Sequence, residues 1–424
     1  MQFTRTGQRT RSQQAMELED RFGAHNYHPI PVVLDSGRGV FVWDVDGKRY
    51  YDFLSAYSAL NQGHCHPRLV KVMQEQASKL TLTSRAFYNS LLGEFEKTAC
   101  ELFGYDKLLP MNTGAEAVET AMKMARKWGY EKQGIAPGKA KIIVCDGNFH
   151  GRTISIISAS SDPDSRDGFG PYTPGFVNIP FDDIAALEAA LADPDVCAFN
   201  VEPIQGERGV YLPAADFMPR AIALCKSRNV LFIADEIQTG IARTGRLLCS
   251  VPDEERDQSK RPDAIILGKA LSGGMYPVSA VLANGEVMGV FTPGTHGSTY
   301  GGNPMGARLS IEALAIVKDE DLTANAERLG ILFRAEMQKL VDAHDFVKLV
   351  RGKGLLNALI IEPRTASDGT PKTAWELCLL LAENGLLAKP THGDIIRFAP
   401  PLIINNEQLM ECVSVIALSV RQFS

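Results

Sequence analysis

The chain has 424 residues, 45% hydrophobic and 22% charged, with a formal net charge of -6. This is the balance of an ordinary globular protein of two or three domains, and the mild acidity excludes a nucleic-acid partner held by general basicity. No apolar run is long enough to cross a membrane, and no secretory signal is visible. Eight scattered cysteines without a Cys-x-x-Cys read as reduced thiols, which favours the cytoplasm.

In chain order, residues 1–15 are basic (Arg5, Arg9, Arg11) and free of acids, and read as a disordered N-terminus. A trimmed presequence for the mitochondrial matrix is the alternative. Residues 38–53 alternate around Asp46-Gly47, a hairpin signature. His64-Cys65-His66 invites a metal, but without a second cluster a tight polar turn is preferred. Helices are predicted over 67–80 and 90–104. Thr113 and Glu116 form a capping box before an amphipathic helix running to about Lys132.

Beyond it, short apolar strands (141–145, 196–201, 230–234, 264–267, 278–283) alternate with helices at 184–192 and 217–228. That pattern implies a mainly parallel sheet covered on both faces. The helix near Met305 leads out of this layer. From 320 a long helix to 344, strands at 347–351, 354–361 and 395–398, and a helix at 373–384 suggest a smaller α/β unit. The expected division is 1–60, 61–320 and 321–424.

Two residues carry the chemistry. Lys269 follows the apolar run 264–267 and sits among glycines, and Asp235 closes the run 230–234. A lysine at one strand end and a buried acid at another suit pyridoxal 5′-phosphate (PLP). The lysine would hold the aldehyde as an imine, and the acid would keep the ring nitrogen protonated. Asn112-Thr113-Gly114-Ala115 enters a helix, where free N–H groups favour a phosphate. Phe149 follows a strand and could stack on the ring, although core packing explains a lone phenylalanine equally well. His150 could be a loop histidine. Arg152, beside Gly151, is placed for a carboxylate. A divalent metal competes at Asp235-Glu236, but no histidine or third acid lies nearby. Gln238 could donate to the cofactor's phenolic oxygen. The acids of the 201–209 segment and Arg397, a cation inside an apolar strand, each need a partner, and spacing does not pair them. The loop 296–304 is too rich in glycine and polar residues for core.

These motifs together (25–29, 81–89, 201–206, 232–240, 267–274, 296–304 and 389–401) resemble the class III aminotransferases, PLP enzymes of fold type I, over nearly the whole chain. The resemblance implies a large domain with a seven-stranded, mainly parallel sheet, a smaller C-terminal domain, and a homodimer with shared sites. It implies that Lys269 carries the cofactor and shuttles the proton, and that Asp235 pairs with the pyridinium. Phe149 and His150 would lie at the ring, Gln238 at its O3′, and Thr113, Gly114 and Ala115 at the phosphate. Ser298 and Thr299 would reach the phosphate of the neighbouring subunit's cofactor. The branch suggested takes the δ-amine of L-ornithine, with 2-oxoglutarate as acceptor. Tyr27 and Arg152 would hold ornithine's α-carboxylate, and Glu207 would cover Arg397 until the keto acid arrives. Tyr57 would shape the pocket against other amines. The resemblance allows tryptophan at the position of His150, with little consequence expected, and the charged segment 250–262 reads as a surface insertion. Acetylornithine and 4-aminobutyrate are rival donors. Racemases, mutases and decarboxylases share the Lys/Asp core.

Overall fold

The computed structural model describes residues 9–366, 368–369 and 371–424. Its centre is a seven-stranded sheet in the order Lys107–Met111, Ser279–Ala283, Ala264–Leu267, Leu231–Asp235, Val196–Val201, Lys141–Cys145, Phe176–Ile179. The last five strands are mutually parallel, while Ser279–Ala283 runs antiparallel to both its neighbours. Four central strands are buried at every position, so neither face can meet water. Alternate residues serve two cores. Phe199, Phe232, Ile265 and Leu282 face one, and Ala198, Ile233, Ile266 and Val281 face the other.

The helix Gly114–Trp128 covers the second face. The predicted capping box is present, with Thr113 Oγ1 accepting from Glu116 N–H and Glu116 accepting from Thr113 N–H. The helix ends earlier than expected and continues as one π turn, Gly129–Gln133. The long helix Pro304–Asp319 packs on the opposite face, against Pro67–Ala77 and Leu92–Phe103.

A second sheet lies C-terminally: Val347–Lys353, Leu356–Ile361, Ile395–Phe398 and Lys389–Thr391, all antiparallel, packed against Leu322–Ala343. The N-terminal hairpin, Phe41–Asp44 with Arg49–Asp52, turns at Gly47, whose φ is 89°. It accepts Leu386–Leu387 as a parallel neighbour, tying the N-terminal segment to the C-terminal unit.

Some expectations change. Arg11–Phe22 is a helix capped by Thr10, not a disordered segment, although it buries no side chain. Residues 1–8 lie outside the described residues. His64 pairs with Asp52 at 2.7 Å and His66 with Glu320 at 3.0 Å, so both histidines find acids. Cys65 between them takes φ 48°, the tight turn expected, and all eight cysteines are free. Elements the sequence reading passed over include the strands Lys107–Met111 and Phe176–Ile179 and the C-terminal helix Asn406–Phe423.

Arg243, fully buried, knits the parts together. It donates to the carbonyls of Leu355 and Pro400 at 2.9 and 2.7 Å and to Asn61 Oδ1 at 2.6 Å. No described helix is long and apolar enough to cross a membrane.

Candidate active site

The C-terminal ends of the parallel strands open on a cavity of about 230 Å³, the place where open α/β sheets bind ligands. Gly114, Ala115, Phe149, His150, Asp235, Gln238 and Lys269 line it. Asp235 ends its strand opposite Ile266 of the neighbouring strand, and Lys269 lies two residues beyond that neighbour. Adjacent strands therefore deliver both groups. Lys269 takes φ 44°, a left-handed conformation unusual for a side-chain-bearing residue. Burial pulls its ammonium below lysine's usual value against the opposing charges of Glu207 and Asp235, which raises the fraction of nucleophilic neutral amine.

Behind Asp235 stands His150, whose Nδ1 donates to Asp235 Oδ2 at 2.6 Å, with both side chains buried. Asn200 Nδ2 lies 3.3 Å from His150 Nε2. Asn200 belongs to the strand between those of His150 and Asp235, so it closes the line from beneath. Burial pushes the His150 imidazole down, but the Asp235 bond and charge outweigh it and hold it above its usual value. This corrects the expectation of little consequence. His150 also lines the cavity, but its polar contacts are to the acid and to Asn200.

Two further acids are buried here. Glu202 accepts from Phe149 N–H at 3.0 Å, and burial pushes it up to about 8, so it is mostly protonated at neutral pH. Glu236 accepts from Ser250 N–H at 2.7 Å and from the Thr239 hydroxyl. These bonds give it a structural task. Among the described residues no cluster of metal-binding side chains occurs.

The anion end lies at the first turn of Gly114–Trp128, where Gly114 and Ala115 face the cavity. Ile237, not singled out from sequence, lines the cavity as well, and a Cβ on Gly114 would meet it at 3.2 Å. Ser298 accepts from Asn112 Nδ2 at 2.9 Å, beside that helix start. Thr299 is exposed and does not line the cavity.

At the opposite edge, Arg397 donates to Glu207 Oε1 at 2.6 Å, resolving the pairing that spacing left open. Burial pushes Glu207 up, but Arg397 outweighs it and holds the carboxyl below its usual range. Gln238 Nε2 donates to Glu207 Oε1 and to the Tyr57 carbonyl, both at 3.3 Å. A Cβ on Gly206 would sit 1.5 Å from Gln238 Oε1, so only glycine lets that amide through. Tyr57 rides a left-handed turn, with φ of 49°, 47°, 62° and 72° at Ser55, Ala56, Tyr57 and Ser58. Such a turn costs roughly 1–2 kcal/mol per residue. Tyr27 and Arg152 are exposed and do not line the cavity, though the Arg152 guanidinium lies 5.7 Å from the ring centroid of Phe149, which does.

The donor set fits PLP: a largely desolvated amine, a buried carboxylate braced from behind, an aromatic wall and a helix N-terminus for the phosphate. The comparisons agree. The family described as "Aminotransferase class-III" matches residues 22–420. The mitochondrial ornithine aminotransferase of Drosophila ananassae is 57% identical over 409 residues, 96% of this chain and 91% of that protein. The structure of the Toxoplasma gondii ornithine aminotransferase, described with partial occupancy of PLP at its active site, superposes with a TM-score of 0.92 at 47% identity, covering 97% of this chain and 94% of that one. The acetylornithine aminotransferase of Elizabethkingia anophelis gives 0.86 at 57% identity, covering 97% and 99%. With a fold-type I architecture and PLP as its cofactor, this chain belongs to the class III aminotransferases.

Proposed function

We propose that the chain is an ornithine δ-aminotransferase. It moves the δ-amino group of L-ornithine to 2-oxoglutarate in two half-reactions, giving glutamate 5-semialdehyde and glutamate. PLP, when bound, supplies the electron sink. Lys269 carries the cofactor and moves the proton, Asp235 keeps the ring nitrogen protonated, and His150 orients Asp235. Phe149 stacks on the ring, Gln238 faces O3′, and Thr113, Gly114 and Ala115 hold the phosphate.

The observation that carries the reading is the Arg397–Glu207 pair at 2.6 Å on the cavity edge. A δ-amine arrives without a carboxylate beside the reacting nitrogen, and a bare arginine there would draw α-amino acids instead. Glu207 cancels that charge, then releases Arg397 to the α-carboxylate of 2-oxoglutarate. Tyr27 and Arg152 hold ornithine's own carboxylate, and Tyr57 trims the pocket.

Acetylornithine is the second reading, favoured by the 57% identity to the Elizabethkingia anophelis protein. Purified protein incubated in parallel with ornithine, acetylornithine and 4-aminobutyrate, each with 2-oxoglutarate, decides. Ornithine is expected to give the highest kcat/KM, and a higher value with either rival rejects the proposal.

We extend the proposal to assembly and organisation. Exposed Phe87 and Tyr88, and exposed Tyr300 following Ser298 and Thr299, support a homodimer in which the 296–304 loop reaches the neighbour's phosphate. Sedimentation tests it. Division near residues 60 and 320 is supported by the seven strands of the large sheet falling between 107 and 283. The proposed compartment is the cytoplasm. The mitochondrial matrix is the alternative, favoured by the name of the Drosophila ananassae relative, and imaging of the native protein separates them.

A further inference from the structure

One cation near Tyr57 has no task in this scheme. Lys389 begins the strand Lys389–Thr391 and stands directly opposite Arg397 on the neighbouring strand. Residues paired in this way across an antiparallel ladder project from the same face, so the two cations rise side by side from the second sheet. Both address Tyr57. Lys389 Nζ donates to Tyr57 Oη at 3.1 Å and lies 5.5 Å from its ring centroid, and Arg397 lies 5.4 Å from the same ring. Lys389 Nζ is also 5.4 Å from the Tyr27 ring centroid.

Their charges differ in availability. Glu207 neutralises Arg397. Among the described residues no carboxylate forms an ion pair with Lys389, which is half-buried and has the Tyr57 hydroxyl as its hydrogen-bond partner. An ammonium has three donors, so two are left to an incoming acceptor. A cation faced by two aromatic rings, without a counter-ion, is poised for an anion.

Both proposed substrates carry a carboxylate remote from the reacting centre: the α-carboxylate of ornithine and the distal carboxylate of 2-oxoglutarate. We propose that Lys389 is a specificity-determining residue that, through the Tyr57 hydroxyl and its own free donors, joins Tyr27 and Arg152 in receiving this remote carboxylate. It offers an ammonium with no carboxylate partner among the described residues, beside the guanidinium of Arg397 that Glu207 covers. The inference rests on the ornithine reading above.

The test uses the PLP-loaded enzyme with ornithine and with 1,4-diaminobutane, which is ornithine without its carboxylate. Lys389→Met is expected to lower kcat/KM for ornithine about 10- to 100-fold, mainly through KM. It should raise KM for 2-oxoglutarate in parallel and leave kcat/KM for 1,4-diaminobutane within about twofold. Lys389→Arg should restore ornithine to within about fivefold. Equal losses with both amines would mean that Lys389 only props Tyr57, and no loss with either would mean that it meets no substrate. Either result overturns the proposal. Should 1,4-diaminobutane turn over too slowly, its competitive inhibition constant against ornithine supplies the same comparison. Should Lys389→Met not fold, as judged by Tm and cofactor absorbance, Lys389→Gln replaces it. Failure of the ornithine reading shows separately, as wild-type enzyme that prefers another donor. The comparison then runs with 4-aminobutyrate against butylamine.

Discussion

The two walls of the cavity are built differently. The large-sheet wall takes Asp235, Lys269 and His150 from the C-terminal ends of three parallel strands of one sheet or the loops just beyond them, where they are backed by fully buried apolar layers. On the opposite wall Glu207 lines the cavity and holds Arg397; around that pair, outside the lining itself, stand Lys389 from the same sheet as Arg397, Tyr57 from a left-handed turn and Tyr27 from an exposed segment. Rigid strand ends suit groups that must hold one geometry through a reaction. Side chains gathered from several elements, with exposures from buried Arg397 to exposed Tyr27, suit discrimination between ligands. Substitutions on the first wall should therefore change turnover for every donor alike, and those on the second should change the ratio between donors.

The largest effect tests the first wall. Lys269→Ala should reduce kcat with ornithine and 4-aminobutyrate by about 10⁴-fold or more, with loss of the visible absorbance of the bound aldehyde. Unequal losses between donors would break the division. Next, Glu207→Gln removes the charge that cancels Arg397. It should shift the ratio of kcat/KM from δ-amine donors towards α-amino acids by about 100-fold. His150→Leu leaves the buried Asp235 short of a donor, an effect worth about 1–3 kcal/mol. Steady-state assays should show kcat lower by about tenfold for all donors, with weaker PLP retention. Tyr57→Ile should move the preference towards 4-aminobutyrate by about tenfold without altering PLP absorbance. Unchanged selectivity would take Tyr57 off the second wall.

The smallest effect is on stability. Folded Glu202 is raised from 4.5 to about 8, so between those values the folded chain holds a proton that the unfolded chain has lost. The stability this proton confers is fully present below the lower value and is lost as pH rises through the upper one. In PLP-free protein, Glu202→Gln lacks this dependence. Its Tm relative to wild type should climb by about 3 °C between pH 5 and pH 8 in calorimetric scans.

The same division governs what the sequence disclosed. Lys269 and Asp235 were legible because each ends an apolar run abruptly, and the helix start because Thr113 and Glu116 carry a local signature. The His150–Asp235 bond was not legible. It joins residues 85 apart, one ending a strand and the other in the loop after a strand that is not its neighbour, and only the sheet order places Asn200 between them. The turn at Ser55–Ser58 contains no glycine to announce its left-handed backbone. Lys107–Met111 escaped because it is an edge strand containing Pro110, and a proline is tolerated at an edge but weakens the strand signal. Lys389 looked like any strand lysine until the ladder set it opposite Arg397.

Arg243 bears on how substrate enters. Its two terminal nitrogens donate to acceptors from three distant stretches of chain, at Asn61, Leu355 and Pro400. A wide parting of the two walls would strand that charge in a dry interior, a penalty of several kcal/mol. Traffic through the cavity should then depend on rotamer changes at Tyr27, Tyr57 and Glu207, with the backbone frame nearly still, so that admission is a matter of side-chain gates in a fixed doorway.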